Sequence, residues 1–125
     1  MSVNRVILVG NVGRDAVVTF TASGVAVCRF SLATNERFKN KAGEVEPRTE
    51  WHSIVAWSKL AEVCGEYLTE GKQVYIEGSI RSGQWEDQEG NERKSFNVVA
   101  YQMRMLSSSV RTTFSNRVQR LQARP

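Results

Sequence analysis

Two tryptophans, Trp51 and Trp57, lie close together in a stretch (residues 49–57) that reads as a β-strand. Side chains in a strand alternate between its two faces, so both indoles are predicted on one face with Ser53 between them. An indole can stack a nucleobase, which contributes about 1–3 kcal/mol and works with every base. A strand that displays two such rings is typical of single-strand nucleic-acid binding. A buried core pair is the alternative, and this strand alone does not decide between the two.

Two further aromatic residues lie in polar surroundings that offer little core. Trp85 belongs to a predicted hairpin at residues 81–91, whose turn signal is Glu-Gly-Asn. Phe38 is flanked by three cations in residues 37–41. Rings among cations are the combination that a nucleic-acid groove uses. We therefore predict exposed rings that stack bases at Phe38, Trp51, Trp57 and Trp85.

No catalytic constellation is visible in the sequence. His52 is the only histidine, and the strand pattern places it on the face opposite the tryptophans, where a core or interface role is the more usual one. Cys28 and Cys64 form no paired motif and are predicted to be reduced, buried thiols and not zinc ligands or a disulfide. We expect no enzymatic activity, no cofactor and no bound metal.

The charge of the chain is unevenly distributed. Its 125 residues suit one domain and carry a net charge of +4. Residues 1–103 hold 12 basic and 13 acidic residues, whereas residues 104–125 hold five arginines and no acid. A binding groove in the body must therefore concentrate cations locally. Because no signal-peptide pattern or membrane-length apolar run is present, a cytoplasmic location is expected.

The order of predicted elements indicates where these residues lie. Strands are predicted at residues 3–9, 17–21, 25–34, 49–57, 73–80 and 94–106, with a polar loop at 35–47. One amphipathic helix is predicted at 59–68, with Ser58 as its N-cap. The helix falls between the third and fourth main strands. This order predicts an all-β fold, the five-stranded oligonucleotide-binding barrel.

The predicted barrel domain covers residues 1–106, and residues 107–125 form a basic tail. Three serines at 107–109 are suited to capping a short basic amphipathic helix that begins at Val110. A disordered basic tail is the alternative, since isolated helices of this length are marginal.

Several motifs, in order along the chain, resemble the bacterial single-stranded DNA-binding protein family. They are NRVILVGNVG at 4–13, FSLATN at 30–35, TEWH at 49–52, KLAE at 59–62, YL at 67–68 and VYIEG at 74–78. The resemblance covers about residues 3–106 and implies the same barrel, a homotetramer and single-stranded DNA as the partner.

The resemblance also implies roles for individual residues. The family's stacking aromatics match Phe38, Trp51, Trp57 and Trp85; position 57 is often Phe in the family, and Phe38 stands where the family has Trp. Family members often have phosphate-contacting cations at three of the positions that we predict to contact phosphates, Arg5, Lys59 and Arg81. The other predicted phosphate contacts are Arg29, Lys39, Lys41 and Arg93. Subunit contacts are expected at the first strand and at His52, and the predicted interface residues are Asn4, Val6, His52 and Tyr75.

The end of the sequence departs from the family. Members usually carry a Gly/Pro/Gln-rich linker and an acidic tip that recruits replication and repair enzymes, whereas this sequence ends RLQARP. Such enzymes are candidate partners, but the usual acidic tip is absent from the sequence. The predicted function is sequence-independent binding and protection of single-stranded DNA in replication, recombination and repair. The alternatives are an interaction module of replication restart with weak DNA binding, and an RNA or oligosaccharide binder on the same barrel.

Overall fold

The structure, a computed structural model, describes residues 1–106 except for the side chain of Trp85. The predicted tail, with its possible helix, lies outside the described residues. Within residues 1–106 the elements are β1 (Val6–Val12), β2 (Val17–Phe20), β3 (Ala26–Lys39), β4 (Val45–Trp57), α1 (Ser58–Tyr67), β5 (Gln73–Glu86) and β6 (Glu92–Met105).

Five of these strands close into a barrel. They follow the order β1-β5-β6-β4-β3, and β1 pairs again with β3 to complete the ring. The closing pair joins Val12 to Leu32, and a short parallel pairing joins Ile54 of β4 to Val98 of β6. The short strand β2 extends the sheet beyond β3. The predicted barrel, with its helix between the third and fourth barrel strands, is confirmed.

The core follows from the alternation of side chains along each strand. Every second residue points inward, and the inward residues are apolar. Among them Leu32, Ile54 and Ile76 are fully buried. Cys28 and Cys64 are buried free thiols, as predicted, and burial is the main cause that raises the pKa of Cys64 to about 12. At that pKa the thiol is protonated near neutral pH and is a poor nucleophile.

The predicted loop at residues 35–47 is wrong, because most of it is strand. β3 and β4 stay paired without a register shift from Val27 and Trp57 out to Lys39 and Val45. A tight turn joins them, in which the side-chain oxygen of Asn40 accepts hydrogen bonds from the backbone N–H groups of Ala42 (2.9 Å) and Glu44 (3.0 Å). The distal part of this hairpin, residues 35–50, which we call the hairpin arm, extends beyond the barrel and has no apolar face. Its sequence therefore lacks the apolar alternation that marks a half-buried strand.

Two other boundaries also differ from the prediction. The first strand begins at Val6 and runs to Val12, later than the predicted 3–9. The N-cap of α1 is Trp57, in extended conformation and without a side-chain cap, and Ser58 is already the first helical residue. Ser58 has a φ of 58°, so the chain turns from β4 into the helix through a left-handed residue. Within residues 1–106 no helix is long and apolar enough to cross a membrane.

Candidate nucleic-acid interface

The outer side of β3 and β4 carries both indoles of the tryptophan strand. Residues directly opposite each other in an antiparallel pair lie on the same face. Trp51 lies opposite Ala33, and Trp57 lies opposite Val27. Trp51 is 59% exposed and Trp57 is 44% exposed, whereas Ile54, on the inward side between them, is fully buried. We call this outer side, formed by the odd-numbered residues 27–39 and 45–57, the tryptophan face.

The acids of β3 and β4 all lie on one face of the hairpin, together with Arg48, and the other three cations of these strands lie on the opposite face. The tryptophan face carries three cations, Arg29, Arg37 and Lys39, opposite Val55, Pro47 and Val45, and none of its positions holds an acid. The acids of both strands, Glu36, Glu46 and Glu50, all lie on the other face, opposite Arg48, Phe38 and Thr34. The local concentration of cations that a nearly neutral domain needs is therefore present beside the indoles.

The indole of Trp51 rests on a glycine. A Cβ added to Gly13 would lie 2.5 Å from Cζ3 of Trp51 and 2.7 Å from Oγ of Ser31, so any larger residue would displace the ring. The N–H of Gly13 donates to the carbonyl of Ser31 (3.0 Å), which fixes the distance between the loop and β3. The ring is thus supported at one edge while more than half of the side chain stays open to solvent.

A groove of about 390 Å³ adjoins this ring. The loop between β1 and β2 forms one side and the tryptophan face forms the other, and the lining includes Arg14, Arg29, Ser31, Trp51 and Ser53. Arg14 is not among the predicted site residues. It follows a turn glycine and has no aromatic neighbour in the sequence, so no local pattern marks it.

The other predicted stacking residues are less closely grouped. Phe38 lies opposite Glu46, on the face of the hairpin that does not carry Trp51, and the guanidinium carbon of Arg48 lies 4.7 Å from the centre of its ring. The backbone of Trp85 lies opposite Arg93 near the end of the β5–β6 hairpin. The structure therefore places Trp51 and Trp57 on one face of the sheet and Phe38 on the other.

The predicted cations fall into two groups. Lys59 is exposed in the first turn of α1, two residues after Trp57, Lys41 lies in the exposed turn of the β3–β4 hairpin, and Arg81 is exposed opposite Asn97. Arg93 and Arg5, in contrast, have intramolecular partners. Nε of Arg93 lies 2.9 Å from Oδ2 of Asp87 in the β5–β6 turn, and the guanidinium of Arg5 pairs with Glu77.

Glu77 is the centre of a polar cluster on the outer side of β1, β5 and β6. Only 5% of it is exposed, yet its carboxylate accepts hydrogen bonds from the hydroxyls of Tyr75 (2.9 Å) and Tyr101 (3.1 Å) and pairs with Arg5. The hydrogen bond from Tyr75 is the largest of the effects that lower the pKa of Glu77. Exposed apolar side chains lie next to it in the same sheet, including Ile7 opposite Glu77 and Val9 opposite Tyr75. We call this surface the β1–β5–β6 face.

The four predicted interface residues do not form one patch. The side chain of Asn4 bonds both to the backbone N–H and to the carbonyl of Ile80 (2.9 Å each), and Val6 packs against the core. Nε2 of His52 lies 2.9 Å from Oγ1 of Thr34 and the ring is half-buried, while Tyr75 lies on the β1–β5–β6 face. Their role in assembly is still a prediction.

Comparison with known proteins gives consistent matches. Residues 3–106 match the model of the single-strand binding protein family. The chain is 46% identical over 106 residues to a single-stranded DNA-binding protein of Neisseria meningitidis serogroup A, covering 85% of this chain and 61% of the relative. It is 45% identical over 106 residues to single-stranded DNA-binding protein 1 of Chlorobaculum tepidum, covering 84% and 65%. The chain therefore spans less than two thirds of the length of these curated relatives.

A solved structure has the same fold. The Plasmodium falciparum SSB complex with ssDNA superposes with a TM-score of 0.80 at 27% sequence identity, covering 86% of this chain and 97% of that chain. The likeness therefore extends over most of this chain and nearly all of that one.

Proposed function

We propose that this chain, which belongs to the single-strand binding protein family, binds single-stranded DNA without sequence preference. Bases stack on Trp51 and Trp57, and the cations of the tryptophan face neutralise phosphates. Neither contact reads a base edge, so every sequence is bound in the same way. The proposed activity is binding and protection, not catalysis.

The observation that carries this proposal is the charge and ring pattern of the tryptophan face. Two exposed indoles share a surface with three cations and no acid, although the domain as a whole is nearly neutral. An interaction module with weak DNA binding has no need for this pattern. Stacking supplies about 1–3 kcal/mol for each base, and each phosphate contact releases counterions, so both parts of the nucleotide are bound.

We propose that the protein acts as a homotetramer. The β1–β5–β6 face combines exposed apolar side chains, Ile7 (54%) and Val9 (48%), with the saturated polar cluster of Glu77. A surface of this composition can be buried at a low free-energy cost, because the carboxylate of Glu77 already has its hydrogen-bond and ion-pair partners. The face is centred on β5, which pairs with neither β3 nor β4, so a subunit contact centred on β5 leaves the indoles open. We also propose that the protein acts in replication, recombination and repair, in the cytoplasm with the nucleoid. Replication and repair proteins are its proposed protein partners.

A titration of tryptophan fluorescence tests the binding proposal. Oligo-dT should quench the emission strongly, and duplex DNA should not. The log–log dependence of affinity on salt should have a slope of about −0.7 for each phosphate contacted. Neutralising Arg29, Lys39 and Lys59 together should flatten that slope.

The same titration separates the alternatives. Equal affinity for oligo-U would indicate an RNA binder on the same barrel. Absence of quenching with every oligonucleotide, by a protein that is folded and assembled, would favour the interaction module.

A further inference from the structure

The groove beside Trp51 contains an arginine to which no role has been given. Arg14, from the loop between β1 and β2, lines the groove on one side, and Arg29, Ser31 and Ser53 line it from the β3–β4 sheet. A smaller cavity of about 280 Å³ beside Gly13, Ser31 and Trp51 also has Arg14 in its lining. Arg14 therefore borders both of the cavities that adjoin the exposed indole.

The loop that carries Arg14 is held at three points. Gly13 donates to the carbonyl of Ser31 (3.0 Å), and Ala16 donates to the carbonyl of Leu68 (3.0 Å). Between them, Oδ1 of Asp15 accepts the N–H of Glu70 (2.8 Å). The backbone on both sides of Arg14 is thus fixed to the barrel and to the end of α1, which limits the entropy that a bound ligand would cost.

The charges of the groove favour an anion. Arg14 and Arg29 are exposed, and within residues 1–106 neither has an ion-pair partner. Asp15 is the acid in the lining, and one of its carboxylate oxygens already accepts the N–H of Glu70. Two unpaired guanidiniums beside a stacking ring can bind a phosphate while the ring binds the attached base.

We propose that the groove holds one nucleotide of the bound strand, with its base on Trp51 and its phosphate on Arg14 and Arg29. This inference rests on the proposed function and adds Arg14 as a residue that positions the strand. The volume of about 390 Å³ lies at the small end of ligand sites, as expected for a single nucleotide. Ser31 and Ser53 supply hydroxyls within the same groove.

Two variants of the same residue type test this proposal. Arg14→Gln removes a guanidinium from the groove, and Arg104→Gln removes one from β6 opposite Tyr75, outside the residues that line the groove. Arg14→Gln should reduce the magnitude of the salt slope for oligo-dT by about 0.7. It should also weaken binding by about fivefold or less, as for one exposed charge pair. Arg104→Gln should leave the slope unchanged, with sedimentation verifying that its assembly is that of the wild type.

A reporter variant locates the contact. Trp57→Phe with Trp85→Phe leaves Trp51 as the indole of the chain, since the sequence holds three tryptophans. In that background thymidine monophosphate should quench the emission at a lower concentration than thymidine does. Arg14→Gln should abolish this difference.

The outcomes distinguish this inference from the proposed function. If the wild type fails to bind oligo-dT, the proposed function fails. If the wild type binds and quenches but Arg14→Gln matches Arg104→Gln in salt slope, the proposed function stands and the groove does not hold the phosphate. The inference is also overturned if the two thymidine ligands quench the reporter equally.

Discussion

Trp51 and Trp57 are exposed although tryptophan is among the most costly side chains to leave in water. If they serve to stack bases, Trp51→Ala should weaken oligo-dT binding by about 1–3 kcal/mol. It should hardly change the melting temperature, because truncation of a core Trp would cost about 3–5 kcal/mol of stability and an exposed ring does not. Affinity and melting temperature measured on the same preparation test this.

Phe20→Ala is the matched control for this substitution. Phe20 is a similarly exposed aromatic (66%) on β2, and alternation places it on the side of the strand opposite Val17, which lines the groove. It should leave affinity unchanged. A Trp51→Ala protein that binds normally but melts much earlier would show that the indole is part of the core.

Glu77 should make stability depend on pH in the acid range. Its pKa is lower in the folded protein than its ordinary value of 4.5, mainly because Tyr75 donates a hydrogen bond to the ionised carboxylate. The unfolded chain therefore binds a proton more readily, and the stabilisation is present above pH 4.5. It is lost as the pH falls below 4.5 and through the folded pKa. Urea unfolding between pH 6 and pH 3 should show this loss.

Glu77→Gln should flatten that acid dependence, since the amide does not titrate. Glu36→Gln, on the exposed hairpin arm, should keep the wild-type dependence. Asp87 also has a lowered pKa, chiefly through the backbone N–H of Asn91, and contributes equally to all three proteins. Identical curves for Glu77→Gln and the wild type would contradict a role for Glu77.

At the residue scale, the sequence predicted the indoles better than the cations. A ring in a strand has its face fixed by alternation, so Trp51 and Trp57 could be assigned to one side. A cation is free to bind a phosphate only when no acid pairs with it. The pairing of Arg5 with Glu77 was not predictable, because the two residues are far apart in the chain. Arg14 was not predicted either, because its groove forms only where the loop between β1 and β2 packs against the β3–β4 sheet.

The junction between β4 and α1 stores strain at one residue. Ser58 has a φ of 58°, a region that costs an L-residue about 1–2 kcal/mol and glycine almost nothing. Ser58→Gly should therefore stabilise the protein by up to about 1 kcal/mol, after subtraction of the greater freedom of glycine in the unfolded chain. Urea unfolding should show a higher midpoint at an unchanged slope.

Ser58→Ala is the control for the hydroxyl. It keeps the strained backbone, and since α1 has no side-chain cap it should change stability little. A gain in Ser58→Ala equal to that in Ser58→Gly would mean that backbone strain is not the cause.

Contact between α1 and β2 depends on a glycine inside the helix. A Cβ on Gly65 would collide with Cγ2 of Val18. Gly65→Ala should therefore destabilise the protein by about 1–2 kcal/mol, because overpacking outweighs the better helix propensity of alanine. The double variant with Val18→Ala should recover part of the loss. Additive losses in the double variant would show that this contact is not responsible.

At the element scale, amphipathic segments were the predictable ones. The helix predicted at 59–68 is observed at Ser58–Tyr67, because its apolar periodicity reports the face that meets the core. The hairpin arm was missed because both of its faces are exposed beyond the barrel, so nothing in its sequence had to alternate between apolar and polar. Its strands are held together by backbone hydrogen bonds, which impose no pattern of apolar and polar residues on the sequence.

Assembly is the prediction that belongs to the whole molecule. Val9 and Val45 are both exposed valines, one on the β1–β5–β6 face and one on the hairpin arm. If the β1–β5–β6 face is the subunit contact, Val9→Lys should shift the protein to smaller species in sedimentation, because it would place an unpaired charge in that contact. Val45→Lys should sediment as the wild type does.

The wild type itself provides the first check on assembly. If it sediments as a monomer at micromolar concentration, the tetramer is wrong. If Val9→Lys assembles normally, the contact lies on another surface. At this scale the family was predictable from the motifs and the barrel from the order of elements. The family match over residues 3–106 and the sheet topology confirm these two predictions.

The way the barrel closes also matters while the chain is being synthesised. One edge of β4 meets β6 at Ile54 and Val55, and β6 ends at Met105, so that edge stays unpaired until the last strand has been made. At about 5–20 residues per second, the interval from the end of β4 is roughly 2–10 s. An open strand edge invites pairing with a neighbouring nascent chain, and charged side chains discourage it. Glu46, Arg48 and Glu50, farther along the same strand, carry charges that would discourage such pairing while the chain is still on the ribosome.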